Sequence, residues 1–460
     1  MMDVKDISKI YFIGIGGIGM SALARYFLFH GKAVSGYDKT ETNLTKALAA
    51  EGIDIHYTDD LELAPKDADL VVYTPAVPKN HSELNFYRDN NYKLLKRSDV
   101  LGLITNSSFN IGVAGTHGKT TVSTMIAHIL RDTGYGCNAF LGGISVNYNS
   151  NFWSDKRNVS VIEADEYDRS FLKLSPDIAV ITAMDADHLD IYGDEQTMQD
   201  AFIEFSGKLK PGGLLISKWG LPQSERFSAG NHITYSLNNP ASDVYSEQIV
   251  MNQGTYRFSV KAKKWNLNDV ILNMGGAHNV ENMIAAIAVA HQLGIEDVKI
   301  KAAVESFRGV KRRFEYQVKT DRLVYVDDYA HHPEELRALI EGARSLFKDF
   351  YCVVIFQPHL FTRTRDFASE FATSLDLADQ TILLPIYPAR EQPIQGVNTE
   401  MVVRMMNQKG VKILEKQEIV RYLETELLPK RGSDKLLIIT AGAGDIDTVV
   451  QPVKNLLSDL

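Results

Sequence analysis

The chain has 460 residues, 45% hydrophobic and 23% charged, with a formal net charge of −9. That length exceeds a single core and, at roughly 150 residues per domain, predicts about three. The acidic balance excludes a nucleic-acid binder, which needs a Lys/Arg excess against a phosphate backbone. No uninterrupted apolar run approaches membrane-spanning length, so no membrane insertion is expected. Two distant cysteines, Cys137 and Cys352, and no secretory pattern predict a protein of the reducing cytoplasm without a disulfide framework.

Ile10 to Ile15 predicts a short strand that enters Gly14-Ile15-Gly16-Gly17-Ile18-Gly19-Met20-Ser21 and a helix through Phe29. Glycines so placed permit a tight turn and a close backbone approach to a diphosphate at a helix start. A second strand, Ala33 to Tyr37, ends at Asp38, which is either a ribose-binding acid or a turn acid. Strand-like runs at Leu70 to Thr74 and at Leu94 and Leu95 alternate with helical patterns, as in a small doubly wound unit.

A second apolar run, Ile111 to Ala114, opens into Gly115-Thr116-His117-Gly118-Lys119-Thr120-Thr121 and a helix with Val122, Met125, Ile126 and Ile129 on one face. This reads as a phosphate cradle. Gly115 and Gly118 turn backbone N–H groups inward, Lys119 supplies positive charge, and Thr120 offers a hydroxyl to Mg²⁺. The strict nucleotide-loop spacing asks for glycine where Val113 stands.

Val159 to Ile162 is a β-branched strand that delivers Glu163, Asp165 and Glu166, a group suited to Mg²⁺ beside phosphate oxygens. Ile178 to Ala183 runs into Asp185, Asp187, His188 and Asp190, again metal-compatible, although an isolated histidine is more often structural. Polar strands from about Asn231 to Leu272 predict an antiparallel excursion. Asn279 and Asn282 precede an apolar helix, Met283 to Leu293, where spacing alone favours helix caps.

Lys311-Arg312-Arg313 lies before a strand, Leu323 to Val326, that delivers Asp327-Asp328-Tyr329-Ala330-His331-His332. Val353 to Phe356 opens into Gln357-Pro358-His359-Leu360, followed by Thr362-Arg363-Thr364-Arg365. Arg363 and Arg365 carry the forked geometry that clamps carboxylate or phosphate, set against ordinary surface charge. Strands at Thr381 to Pro385 and Leu436 to Thr440 complete a third α/β unit.

Together these motifs resemble the Mur ligase family of peptidoglycan precursor enzymes, most closely its alanine-adding branch. The resemblance rests on Gly14 to Ser21, Gly115 to Thr121, Glu163-Ala164-Asp165-Glu166, Asp187-His188-Leu189-Asp190, His278-Asn279 with Asn282, Arg312-Arg313-Phe314, Asp327 to Pro333, and Gln357 to His359 with Thr362 to Asp366. It implies an α/β chain of three domains: a Rossmann-like UDP-sugar domain over 1–108, a central P-loop ATPase over 109–314 and a Rossmann-like ligase domain over 315–460.

By position, the resemblance assigns Gly14, Gly16, Gly17, Gly19, Met20, Ser21 and Asp38 to the UDP-sugar. Gly115, Thr116, His117, Gly118, Lys119, Thr120, Thr121, Asn279, Asn282 and Arg313 fall to ATP. Thr120, Glu163 and His188 fall to Mg²⁺, and Tyr329, His359 and Arg363 to the amino acid. Lys119, Glu163, His188, Arg313 and Asp328 are implied to serve catalysis. The implied reaction is ATP-driven ligation of L-alanine to UDP-N-acetylmuramate by a cytoplasmic monomer or homodimer.

A recycling ligase that attaches a murein tripeptide to the same UDP-sugar is the nearest alternative. A nicotinamide dehydrogenase would rest on Gly14, Gly16, Gly19 and Asp38 alone, and a non-catalytic regulator would not need Lys119, Glu163 and His188. Two departures accompany the resemblance. The stretch Phe202-Ile203-Glu204 lacks the lysine that several sister ligases carbamylate, and Leu360 stands where alanine-adding relatives often have arginine.

Overall fold

The computed structural model describes residues 6–185, 192–252, 254–389, 391–432 and 434–458. They form an α/β chain with three sheets, in two compact units. The first comprises 1–248, 258–271 and 280–307, the second 249–257, 272–279 and 308–460.

The N-terminal sheet has the order β3-β2-β1-β4-β5, built from β1 (Lys9–Ile13), β2 (Ala33–Tyr37), β3 (Asp54–His56), β4 (Leu70–Tyr73) and β5 (Leu94–Lys96). All its pairings are parallel. Helix α1 (Ile18–Phe29) follows the first glycine loop, with Gly17 at its N-cap. Parallel pairing leaves the strands covered on both faces, which is why β1 and β4 read as unbroken apolar runs.

The ten-stranded central sheet has the order β15-β14-β13-β12-β11-β10-β6-β9-β7-β8. Its strands are β6 (Phe109–Ala114), β7 (Asn138–Ser145), β8 (Ser150–Trp153), β9 (Val159–Glu163), β10 (Ile178–Ile181), β11 (Leu214–Lys218), β12 (Asn231–Ser236), β13 (Val244–Asn252), β14 (Thr255–Ala262) and β15 (Asn266–Leu272). The helix Lys119–Asp132 leaves β6 through the second glycine loop. Its apolar stripe, Val122, Met125, Ile126 and Ile129, is at most 1% exposed, each side chain contributing about 1.5–3 kcal/mol of burial.

One sequence expectation, the antiparallel excursion from about Asn231 to Leu272, is corrected at its first strands. β12 does not open an antiparallel excursion, because it pairs parallel with β11 from Leu214↔Asn231 to Lys218↔Tyr235. β13 also joins β12 in parallel, through Tyr235↔Val244 and Ser236↔Tyr245. The chain first runs back through residues 219–230, so β12 enters in the direction of β11. Polar alternation signals exposure of one face, not strand direction.

The two glycine loops belong to one unit, in which α1 is tied to β7 and β8. Arg25 of α1 donates to Asn151 Oδ1 at 2.7 Å, and Asn151 Nδ2 donates to Ile18 O at 2.6 Å. Tyr26 packs 5.3 Å from Phe140 and 6.3 Å from Phe152, ring centre to ring centre.

The second unit carries the sheet β16-β17-β21-β18-β19-β20, made of β16 (Glu315–Lys319), β17 (Leu323–Asp328), β18 (Tyr351–Phe356), β19 (Gln380–Leu383), β20 (Lys412–Ile413) and β21 (Leu436–Ala441). β16 is antiparallel to β17 and the other pairings are parallel. In this order β17 and β18 flank β21, and the carboxyl ends of parallel strands are where such sheets bind ligands. Among the described residues, no helix is long and apolar enough to cross a membrane.

Candidate active site

The loop after β6 needs its two glycines. Gly115 has φ 142° and a Cβ there would lie 2.1 Å from Thr182 Oγ1; Gly118 has φ 84° and caps the helix. The Thr116 N–H donates to Ala183 O at 3.1 Å, and Thr182 Oγ1 donates to His117 O. Thr116 and Thr121 are each 7% exposed. Val113 belongs to buried β6, so the turn is made by Gly115 and Gly118 without a glycine at 113. Asn282 lies over the same loop, its Oδ1 3.0 Å from where a Gly118 Cβ would stand.

Lys119 Nζ donates to Gly115 O at 2.6 Å and to Glu166 Oε1 at 2.7 Å. Thr120 Oγ1 donates to Glu163 Oε1 at 2.8 Å, and the Gly142 N–H donates to Glu163 Oε2 at 2.7 Å. The Glu166 side chain is fully buried. Burial raises the Glu163 carboxyl above its usual range despite Lys119, Thr120 and Gly142. Burial likewise raises Glu166, with Lys119 opposing.

Two desolvated carboxyls stand here beside one lysine, a place where a bound cation would favour their ionised form. With the Thr120 hydroxyl, this is the hard-oxygen set that suits Mg²⁺, which takes one or two carboxylates and completes its shell with phosphate and water. Among the described residues, no three His, Cys, Asp or Glu side chains converge as a metal-holding group. His188 lies outside the described residues.

In the N-terminal loop, the Gly14 and Ile15 N–H groups donate to Tyr37 O at 2.8 and 3.0 Å. Asp38 Oδ2 accepts the Gly16 N–H at 2.7 Å, and its Oδ1 accepts the Thr40 N–H at 3.1 Å. Asp38 therefore organises the turn. Gly19 faces Arg97, whose carbon and nitrogen atoms lie 2.8–3.2 Å from a Cβ built there. Met20 and Ser21 point inward, 2% and 0% exposed, and the Ser21 hydroxyl donates to Ile18 O.

In the second unit, Asp328 closes β17, and its carboxylate accepts the Phe314 N–H at 2.6 Å and the Ala330 N–H at 2.7 Å. The Arg313 guanidinium lies 5.5 Å from the Tyr329 ring centre. His331 Nδ1 stands 3.0 Å from Tyr329 O, and its ring is 6.0 Å from that of His359. His359 stacks on Tyr387 at 5.8 Å. Asn279 is buried and donates from Nδ2 to Gly275 O at 2.6 Å.

His359 Nδ1 and Arg363 Nη1 are buried without a hydrogen-bond partner. Buried polar atoms are ordinarily satisfied, so an adjacent orphaned acceptor-capable ring nitrogen and a cationic donor mark a place for a polar ligand. Desolvation lowers His359 to about 4, reinforced by His331 and Arg363, so its ring is neutral at physiological pH. Arg363 then carries the positive charge of this pair. Leu360 holds φ 72°, pinned by its N–H to Tyr387 O at 2.9 Å, an energetically strained conformation for a side chain of this size.

Residues matching the Mur ligase family catalytic domain span 9–108, those matching the Mur ligase middle domain 113–290, and those matching the Mur ligase glutamate ligase domain 312–444. A relative from Cytophaga hutchinsonii, UDP-N-acetylmuramate--L-alanine ligase, is 49% identical over 98% of this chain and 97% of its own. The chain belongs to the Mur ligase family.

Among solved structures, the UDP-N-acetylmuramate-alanine ligase of Thermotoga maritima shares 28% identity over 98% of this chain and 99% of its own, with a TM-score of 0.81. A murein peptide ligase of Psychrobacter arcticus, at 23% identity over 98% and 99% of the two chains and a TM-score of 0.68, shares the fold. In this Mur ligase, Glu166, singled out in the sequence as one of three strand-end acids, is the partner of Lys119, whereas Gly142 and Tyr387 are neighbours of the assigned residues that the sequence did not reveal. Glu166 follows Glu163 by three residues, a spacing that offered a signal; Gly142 and Tyr387 reach their neighbours only through tertiary pairing.

Proposed function

We propose that this Mur ligase joins L-alanine to the lactyl carboxylate of UDP-N-acetylmuramate, driven by ATP, in peptidoglycan precursor synthesis. The observation that carries the reading is Lys119, presented at a helix start between two desolvated acids with a threonine hydroxyl beside them. The Cytophaga relative, 49% identical along nearly the whole chain, supports the choice of substrates.

In this reading the lactyl carboxylate attacks the γ-phosphorus of ATP and displaces ADP, and the resulting acyl phosphate is attacked at its carbonyl carbon by the neutral alanine amine, which gives up a proton to solvent. The tetrahedral intermediate then expels phosphate. Lys119 and the loop N–H groups stabilise charge on the transferring group. Glu163, Thr120 and His188 would hold Mg²⁺, which supplies Lewis-acid stabilisation of the phosphate oxygens. Asn279, Asn282 and Arg313 bind the nucleotide, with Gly115, Thr116, His117, Gly118 and Thr121 forming the cradle.

Gly14, Gly16, Gly17 and Gly19 bring backbone to the UDP diphosphate, with Asp38 bracing that turn. Arg363 receives the alanine carboxylate, with neutral His359 and Tyr329 alongside. No side chain forms a covalent intermediate. The division of labour follows 1–108, 109–314 and 315–460, in a cytoplasmic monomer or homodimer.

Phosphate release measured with UDP-N-acetylmuramate and, in parallel, L-alanine, L-serine, glycine or the murein tripeptide tests the reading. Preferential turnover with L-alanine is expected. Turnover with the tripeptide alone would move the chain to the recycling branch.

A further inference from the structure

Residues 312–314 form a turn in which two non-glycine residues, Arg312 at φ 60° and Phe314 at φ 50°, flank Arg313 in the left-handed region. Such backbone is unfavourable for residues with a Cβ and persists only where the surroundings over-determine it. Here they do. The Arg312 N–H donates to Glu315 Oε2 at 2.9 Å, and its carbonyl accepts the Tyr329 N–H at 2.7 Å. The Arg313 N–H reaches Val310 O at 3.2 Å, and the Phe314 N–H is held by Asp328.

Beneath the turn lies a carboxylate with no role in the chemistry derived above. Asp327 is 1% exposed, and its Oδ2 stands 3.3 Å from Arg312 Nε. Its Oδ1 accepts from Thr440 Oγ1 at 2.6 Å, and Thr440 in turn lies 3.1 Å from Tyr325 Oη. Thr440 and Tyr325 are fully buried. Arg312 Nη2 donates to Gly442 O, so the guanidinium spans β17 and the end of β21. Breaking such a pair by removing one partner strands the other charge in a desolvated place, which makes the geometry rigid.

We propose that Asp327 and Arg312, braced by Thr440, are positioning residues whose buried ion pair holds the 312–314 turn and thereby aims Arg313 at the nucleotide, an inference that rests on the ATP role given to Arg313 above. Arg312 is the residue whose side chain is committed inward. Arg313, one position on, is exposed, its guanidinium 5.5 Å from the centre of the Tyr329 ring, which Arg312 also approaches at 5.3 Å.

A double-mutant cycle on the full-length enzyme tests this, with Asp327→Asn, Arg313→Ala and the pair. The cycle is read as affinity for a non-hydrolysable ATP analogue and as kcat against KM for L-alanine. Asp327→Asn should weaken analogue binding about 10-fold and lower kcat while leaving KM for L-alanine unchanged. The double variant should be no worse than Arg313→Ala alone. Thr440→Val should move the same readouts in the same direction by less, and serves if Asp327→Asn does not fold. Additive losses in the double variant would overturn the positioning role and leave the ligase reading standing. Wild-type analogue affinity in Arg313→Ala would instead overturn the nucleotide role of Arg313, and the positioning role with it.

Discussion

Lys119 Nζ lies 2.7 Å from Glu166 Oε1, an ion pair whose acid is fully buried. The lysine is thus poised over its own loop, also bonded to Gly115 O at 2.6 Å, and in the proposed ATP role it would exchange these partners for phosphate oxygens. A buried pair contributes little net stability, since desolvation offsets attraction. Its consequence is orientation of a single cation at the start of the helix.

Lys119→Ala should therefore abolish phosphate release dependent on UDP-N-acetylmuramate and L-alanine, by at least ~100-fold, or about 2.7 kcal/mol of transition-state stabilisation. Circular dichroism should show the chain still folded. Undiminished turnover would mean that the loop has been given the wrong task.

Gly142 offers a sharper test of the metal end. A Cβ at this exposed position would stand 2.3 Å from Glu163 Oε1, so Gly142→Ala must displace the carboxylate. The Mg²⁺ concentration for half-maximal rate should rise about 10-fold, the usual scale for disturbing a ligand's support. The thermal midpoint should move by only a few degrees, because the backbone there needs no left-handed φ. An unchanged Mg²⁺ requirement would remove Glu163 from the metal set.

The histidine beside Arg363 yields a pH prediction. His359 is lowered to about 4, first by desolvation and then by His331 and Arg363. The unfolded chain therefore binds a proton that the folded one refuses, so this residue's contribution to stability is lost as pH falls from about 6.5 toward 4. His359→Gln, which cannot titrate, should lose less stability than the wild type between pH 7 and pH 5. Nuclear magnetic resonance of labelled histidine should place its midpoint below 5.5; a midpoint near 6.5 would refute the neutral assignment.

Arg363 has a buried Nη1 without a partner, the donor expected to meet a carboxylate. Arg363→Ala should raise KM for L-alanine at least ~10-fold, about 1.4 kcal/mol, with KM for ATP unchanged. Arg363→Lys should recover only part, since an ammonium lacks the planar fork. A selective rise in KM for ATP would place Arg363 with the nucleotide instead.

Much of this protein is determined by local sequence. The strand-glycine-helix runs at Gly14 to Phe29 and Gly115 to Asp132 are legible because φ requirements and apolar periodicity are properties of neighbouring residues. The same holds for acids at strand ends, such as Glu163 and Asp328. Tertiary structure alone decided the direction of β12, since a strand's own alternation is blind to its partner's direction. It also decided which side chains meet: Gly142 at Glu163, Asp38 on the Gly16 N–H rather than free at the loop, and Asp327 beneath Arg312. Those contacts join residues 15 to 22 positions apart across different strands and turns, where sheet order and register, and not spacing along the chain, set the distance.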